Sequence, residues 1–162
     1  MLFHSTRGND NNKTFEEVLM QGLADDGGLF MPDSWPQVDL DYLKSLKSFI
    51  DVAKYIVPMY TDSSFSKDEV HEVLENTWHD FEEKDYLKIV DINKSLSVLE
   101  LFHGPTAAFK DFGLQLAAAF FNKTLVDQNK TAIVFGATSG DTGSAAIDAC
   151  KEFTAIKSFI LI

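Results

Sequence analysis

The sequence predicts an α/β protein in which a small, mostly helical N-terminal domain precedes a parallel-sheet domain. Three observations carry this expectation. Residues 131–162 read strand, helix, strand, the pattern of a βαβ crossover and therefore of a parallel sheet. Two capping boxes, Thr14-Phe-Glu-Glu17 and Ser66-Lys-Asp-Glu69, open helices in the first half. Between the halves, Glu82, Glu83, Lys84 and Asp85 form a charge cluster that reads as a solvated connection. It sets the expected domains at 1–85 and 86–162.

Element by element, Leu2 to His4 reads as a short edge strand, followed by a polar turn from Gly8 to Asn12. The helix opened by Thr14 places Phe15, Val18, Leu19 and Leu23 on one face. Asp25-Asp-Gly-Gly28 is a turn, and Leu29-Phe-Met31 runs into Pro32. Asp39–Leu46 and Phe49–Tyr60 read as helices, the second closing near Pro58. Behind Ser66, the residues Val70, Val73, Leu74, Trp78 and Phe81 recur at helical spacing and read as core. Tyr86–Val90 and Leu96–Leu101 are strand candidates, the second leading to the Gly104-Pro105 turn. Phe112–Gln128 is helical and apolar nearly all round, so burial on more than one side is expected. Thr131–Phe135, Thr142–Lys151 and Ser158–Ile162 complete the βαβ unit. Parallel strands need neighbours on both sides. None follows Ile160-Leu-Ile162, which predicts that these residues are the N-terminal part of a longer enzyme.

The 162 residues are 45% hydrophobic and 24% charged, enough for a core and ordinary for a globular chain. A formal charge of −11 disfavours a sequence-independent grip on nucleic acid, which needs Lys and Arg against phosphates. No apolar run reaches membrane-spanning length, and the N-terminus lacks a secretory pattern. One cysteine, Cys150, cannot form an intramolecular disulfide; it reads as core and favours a reducing, cytoplasmic compartment. His4, His71, His79 and His103 show no metal-ligand spacing, with His71 and His79 expected on a surface helix.

Two segments carry chemistry. The first, Glu100 to Gln115, presents Lys110 between a Gly-Pro turn and an apolar helix, beside Phe109, Phe112 and Leu114. A lysine in apolar surroundings is a nucleophile for an aldehyde, and once released it can shuttle protons. The plain alternative is a surface lysine opening a helix. The second segment, Gly136-Ala-Thr-Ser-Gly-Asp-Thr-Gly143, lies between a strand and a helix. There backbone N–H groups and the hydroxyls of Ser139 and Thr142 suit an anion or a polar ligand edge. It lacks both the dinucleotide and the P-loop fingerprints, and a plain βα turn reads equally well. Asp141 and Asp111 read as helix caps. His103 reads as a satisfied buried histidine, or as a hydrogen-bond partner near the site. Together the two segments point to pyridoxal-phosphate chemistry.

At these motifs the chain resembles the threonine synthase family, in the bacterial and fungal subgroup with an extra N-terminal domain. The resemblance covers nearly the whole chain. It includes Ser5-Thr-Arg-Gly8, Gly22-Leu-Ala-Asp-Asp-Gly-Gly-Leu29, Leu101-Phe-His-Gly-Pro-Thr106, Phe109-Lys-Asp111 and Ala137-Thr-Ser-Gly-Asp-Thr-Gly143. It implies the tryptophan-synthase-β-like fold of pyridoxal-phosphate enzymes (fold type II), here incomplete. It further implies Lys110 as the Schiff-base lysine, and Ser139, Asp141 and Thr142 near the cofactor ring and substrate carboxylate. Many related enzymes carry Asn where this chain has Asp141.

The implied reaction turns O-phospho-L-homoserine and water into L-threonine and phosphate, in a monomer or homodimer without nucleic acid or membrane. Arg7 is a candidate for the substrate phosphate, against a salt-bridge or surface role. In this family the glycine-rich loop for the cofactor phosphate lies further along the chain, so little activity is expected of these 162 residues alone. The alternatives are another lyase of the same fold (a phospho-lyase or dehydratase), a non-catalytic fragment, or a nucleotide-binding module, which the missing fingerprints disfavour.

Overall fold

The computed structural model describes residues 1–82 and 85–161. Glu83, Lys84 and Ile162, which figured in the expected linker and last strand, lie outside the described residues. The chain divides into two compact units, Met1–Glu75 and Asn76–Ile162.

In the first unit, β1 (Phe3–Ser5) pairs antiparallel with β2 (Phe30–Pro32) in the register Phe3↔Pro32 and Ser5↔Phe30. Helix α1 (Phe15–Gln21) starts at Thr14, where both halves of the expected capping box form. Helix α2 (Leu40–Ser45) is capped by Asp39, which accepts from the amides of Asp41 and Tyr42. The Phe15 ring lies tilted against Phe3 and edge-to-face with Phe65, with centroids 6.4 and 6.2 Å apart. Val70 and Leu74 are fully buried, and Ala53 is buried too.

The expected single helix over 49–60 is two. Helix α3 (Phe49–Ile56) ends and α4 (Pro58–Thr61) begins at the proline. Pro58 has no N–H to donate to the carbonyl four residues back, that of Lys54. His71 Nε2 lies 3.3 Å from that carbonyl and serves as its donor in the Nε2–H tautomer. Ser66 and Glu69 then form the second capping box ahead of α5 (Lys67–Asn76). Trp78 and Phe81 do not continue this helix as their spacing suggested. The backbone turns at Trp78, with φ at +63°, so His79 also lies past the helix rather than on it. Trp78 is nonetheless core, 3% exposed.

In the second unit, β3 (Lys88–Asn93) and β4 (Leu96–Glu100) form an antiparallel hairpin with Val90 opposite Val98. Helix α6 (Lys110–Asp127) starts two residues earlier than its apolar run suggests. Its buried positions fall in two stripes, Asp111, Ala118 and Leu125 spaced by seven, and Phe120 and Thr124 spaced by four. The expected burial on more than one side is therefore observed. Strand β5 (Ala132–Ala137), helix α7 (Asp141–Cys150) and strand β6 (Ile156–Leu161) make the expected parallel βαβ unit, with Ala132 opposite Ile156 and Ala137 opposite Leu161.

Helix α7 packs on β6 and against α6. Gly143 permits that approach, since a Cβ there would lie 2.8 Å from Thr138 Cγ2 and 2.9 Å from Ile160 Cγ2. The other face of this two-stranded sheet is open, with Ile133 and Phe135 on β5 and Phe159 and Leu161 on β6 all more than half exposed. Cys150 is buried as expected, and burial pushes its thiol pKa up.

Candidate functional site

Lys110 is the first residue of α6 and is half-buried. Its Nζ sits 4.7 Å from the centroid of the Phe109 ring, a cation–π contact at the helix entrance. Phe109 itself is exposed, so the apolar setting expected of Lys110 is one aromatic face rather than an enclosed pocket.

This first turn carries no ordinary cap. Phe109 occupies the N-cap position with helical dihedrals and no side-chain bond. Asp111 is fully buried and is not a cap, contrary to expectation. Its carboxylate faces back to the preceding loop, where Oδ2 accepts from the Thr106 amide at 2.9 Å and Oδ1 from the Thr106 hydroxyl at 2.6 Å. Gly104 makes this possible: a Cβ there would lie 2.4 Å from Asp111 Oδ2. On the other side, the Trp78 indole N–H donates to the Phe112 carbonyl at 3.0 Å. His103 is a satisfied, mostly buried histidine, its Nε2 2.8 Å from Glu100 Oε2.

The small-residue segment divides among three elements. Gly136 and Ala137 end β5, Thr138 to Gly140 form the loop, and Asp141 to Gly143 are the first turn of α7. Asp141 was expected as a cap and is not one. Gly140 occupies the N-cap with no side-chain bond, and Asp141 is an exposed first-turn residue that suits the helix dipole. The hydroxyls of exposed Ser139 and Thr142 have no hydrogen-bond partner among the described residues. The Gly143 amide donates to the Gly140 carbonyl at 3.0 Å, and the amides before it have no acceptor within their own helix, so this end of α7 offers N–H and O–H donors.

Topology brings Lys110 and this loop to one end of the unit. Helix α6 returns to the start of β5 through residues 128–131, and β5 leads directly to the loop. Helices α6 and α7 therefore run in the same direction. Gln115, five residues into α6, donates to Asp148, seven residues into α7, at 3.4 Å. Both helix entrances thus face the C-terminal ends of β5 and β6, where open α/β sheets bind ligands.

Arg7 lies in the first unit. Its Nη1 donates to the Asp26 carbonyl at 3.1 Å, in a turn where the Asp26 carboxylate accepts from the Ser5 hydroxyl and the amides of Asn9 and Gly28. That gives Arg7 a structural partner. Among the described residues, one trio has metal-ligand types in reach of one another, His79, Asp80 and Glu152, all exposed. A cation is already present there: Lys151 Nζ donates to Asp80 at 2.7 Å and to Asp148 at 2.9 Å. Sequence spacing could not reveal this trio, because Glu152 reaches it only through the fold.

Residues 2–78 match a family model described as threonine synthase N terminus. Over 99% of its length the chain is 37% identical to a threonine synthase of Pseudomonas aeruginosa, of which it covers 35%. It is 38% identical to threonine synthase-like 2 of Pongo abelii, over 93% of this chain and 32% of that one. Among solved structures, a pyridoxal-phosphate-bound threonine synthase from Brucella melitensis matches with a TM-score of 0.94 at 35% identity, over 99% of this chain and 35% of that one. The chain spans about a third of the length of these relatives. The fold is that of part of these enzymes, as expected.

Proposed function

We propose that the chain, which is similar over nearly its whole length to about a third of the length of threonine synthases, supplies the cofactor-bearing lysine of an enzyme converting O-phospho-L-homoserine and water into L-threonine and phosphate. The cofactor of this reading is pyridoxal phosphate, named with the Brucella neighbour. The observation that carries it is the placing of the Lys110 amine and the donors of Ser139 and Thr142 at neighbouring helix entrances. This donor set fits the group, with an amine for its aldehyde and hydroxyl and N–H donors for its oxygens.

When bound, pyridoxal phosphate withdraws the electrons left behind as bonds at the substrate carbon skeleton break. Lys110 Nζ would hold the cofactor through its aldehyde, and the free amine would carry protons to and from Cα and Cβ. Ser139, Asp141 and Thr142 orient the ring and the substrate carboxylate. Phosphate leaves Cγ and water adds at Cβ, so one water enters for each phosphate released.

The chain is also similar to a protein named threonine synthase-like 2, and the second reading is another lyase of the same fold, a phospho-lyase or dehydratase. Borohydride reduction in the presence of pyridoxal phosphate should label Lys110, and Lys110→Ala should lose the label. A label elsewhere sinks the proposal. Product analysis with phosphohomoserine against threonine as substrate separates the two readings.

A further inference from the structure

We propose that Asp111 is a positioning residue for Lys110, acting through a carboxylate anchor to Thr106; the proposal rests on the reading of Lys110 as the cofactor lysine. Helix entrances fray, and α6 has no side-chain cap to prevent it. What stands in place of a cap is the fully buried Asp111, whose two oxygens are taken by the amide and the hydroxyl of one residue, Thr106. The loop between them is folded tightly, with Ala107 at φ +57° and the Ala107 amide donating to the Gly104 carbonyl at 3.0 Å. Gly104 lies against the carboxylate so closely that no side chain fits there.

Successive helix residues are separated by about 100° around the axis. Fixing Asp111 inward therefore fixes the direction in which Lys110 leaves the helix. The Trp78 bond to the Phe112 carbonyl secures the same turn from its other side. Lys110 is thus flanked on the following two residues by anchors that have no part in its own chemistry. A nucleophile must meet its target within a narrow range of position and angle. The anchor supplies that constraint at a helix end that otherwise lacks one.

The test uses Asp111→Ala and Thr106→Val with two readouts. Amide hydrogen exchange over residues 104–113, measured without cofactor, reads the anchor itself. Both variants should exchange there at least about tenfold faster than the parent, with β5, α7 and β6 unchanged. Borohydride trapping with pyridoxal phosphate, scored as adduct at Lys110 relative to Lys130 just past the same helix, reads the consequence. That ratio should fall about tenfold in Asp111→Ala and about threefold in Thr106→Val. Lys130 is already exposed, so general loosening of the fold would expose Lys110 further and would raise the ratio rather than lower it.

If Asp111→Ala does not fold, Thr106→Val, which keeps the carboxylate, carries the test. Parental exchange, or an unchanged labelling ratio in a folded variant, overturns the proposal. A parent chain that shows no preferential adduct at Lys110 overturns the cofactor reading instead, and the exchange readout separates the two failures.

Discussion

His71 supplies a donor to the Lys54 carbonyl, 3.3 Å away, where Pro58 has removed the helical one. A helix break and a histidine seventeen residues from that carbonyl are parts of one arrangement. His71→Ala should cost about 1 kcal/mol, the net worth of such a bond. In a Pro58→Ala background, which restores an N–H to the helix, the same change should cost less. A double-mutant cycle by urea unfolding measures the difference.

Acid should act on the first unit through Asp26. The Ser5 hydroxyl, the largest cause, holds its carboxyl below the usual 3.8 together with the Asn9 and Gly28 amides and the Arg7 charge, against burial, the second largest, which raises it. A carboxyl whose folded pKa is depressed adds stability that is full above the unfolded pKa and is lost as pH falls through the folded one. The thermal midpoint should therefore drop as pH falls below about 4. Ser5→Ala should lower the midpoint at pH 7 by more than at low pH, where parent and variant converge.

Two helical glycines should respond to alanine in opposite ways. Gly113 on α6 has nothing within 4 Å of an added Cβ, so Gly113→Ala should stabilise by about 0.5–1 kcal/mol. At Gly143 the same gain meets Thr138 and Ile160 at under 3 Å. Overpacking costs about 1–3 kcal/mol, so Gly143→Ala should be net destabilising. Denaturant midpoints at constant m-value would report both.

Cys150 should be unreactive in the folded chain. It is 7% exposed and its pKa is raised by burial, which suppresses the thiolate. Reaction with a disulfide reagent at pH 7 should be about a hundredfold slower than in denaturant. A native rate near the denatured one would contradict the packing of α7.

The elements read best from sequence are those settled by near neighbours. Thr14 with Glu17, and Ser66 with Glu69, cap their helices as the spacing dictates, because every atom involved lies within one turn. The βαβ unit followed from β-branched runs around an Ala-rich helix. Trp78 shows the limit of periodicity: it was correctly core, but a residue can hold a helical spacing after the helix has ended. Asp111 and Asp141 both looked like caps, since residue type and position are all that sequence offers. Their roles depend on where Thr106 returns and on which residue takes the N-cap place, and both are set by the path of the loop. Lys110 is proposed from its surrounding motif, whereas the contact of its neighbour Asp111 with Thr106 is visible only in the fold.

The open face of β5 and β6 also bears on how copies of this chain meet. Phe135 and Phe159 lie opposite each other in the register, both outward, and Leu161 lies just beyond. Such a surface attracts its own kind, and strand edges without a partner among the described residues offer it hydrogen bonds. A formal charge of −11 opposes this by mutual repulsion. That repulsion reaches about 10 Å at 0.1 M salt but only about 3 Å at 1 M. Colloidal behaviour should therefore be set by ionic strength: dilute buffer keeps copies apart, and concentrated salt lets the aromatic faces find one another.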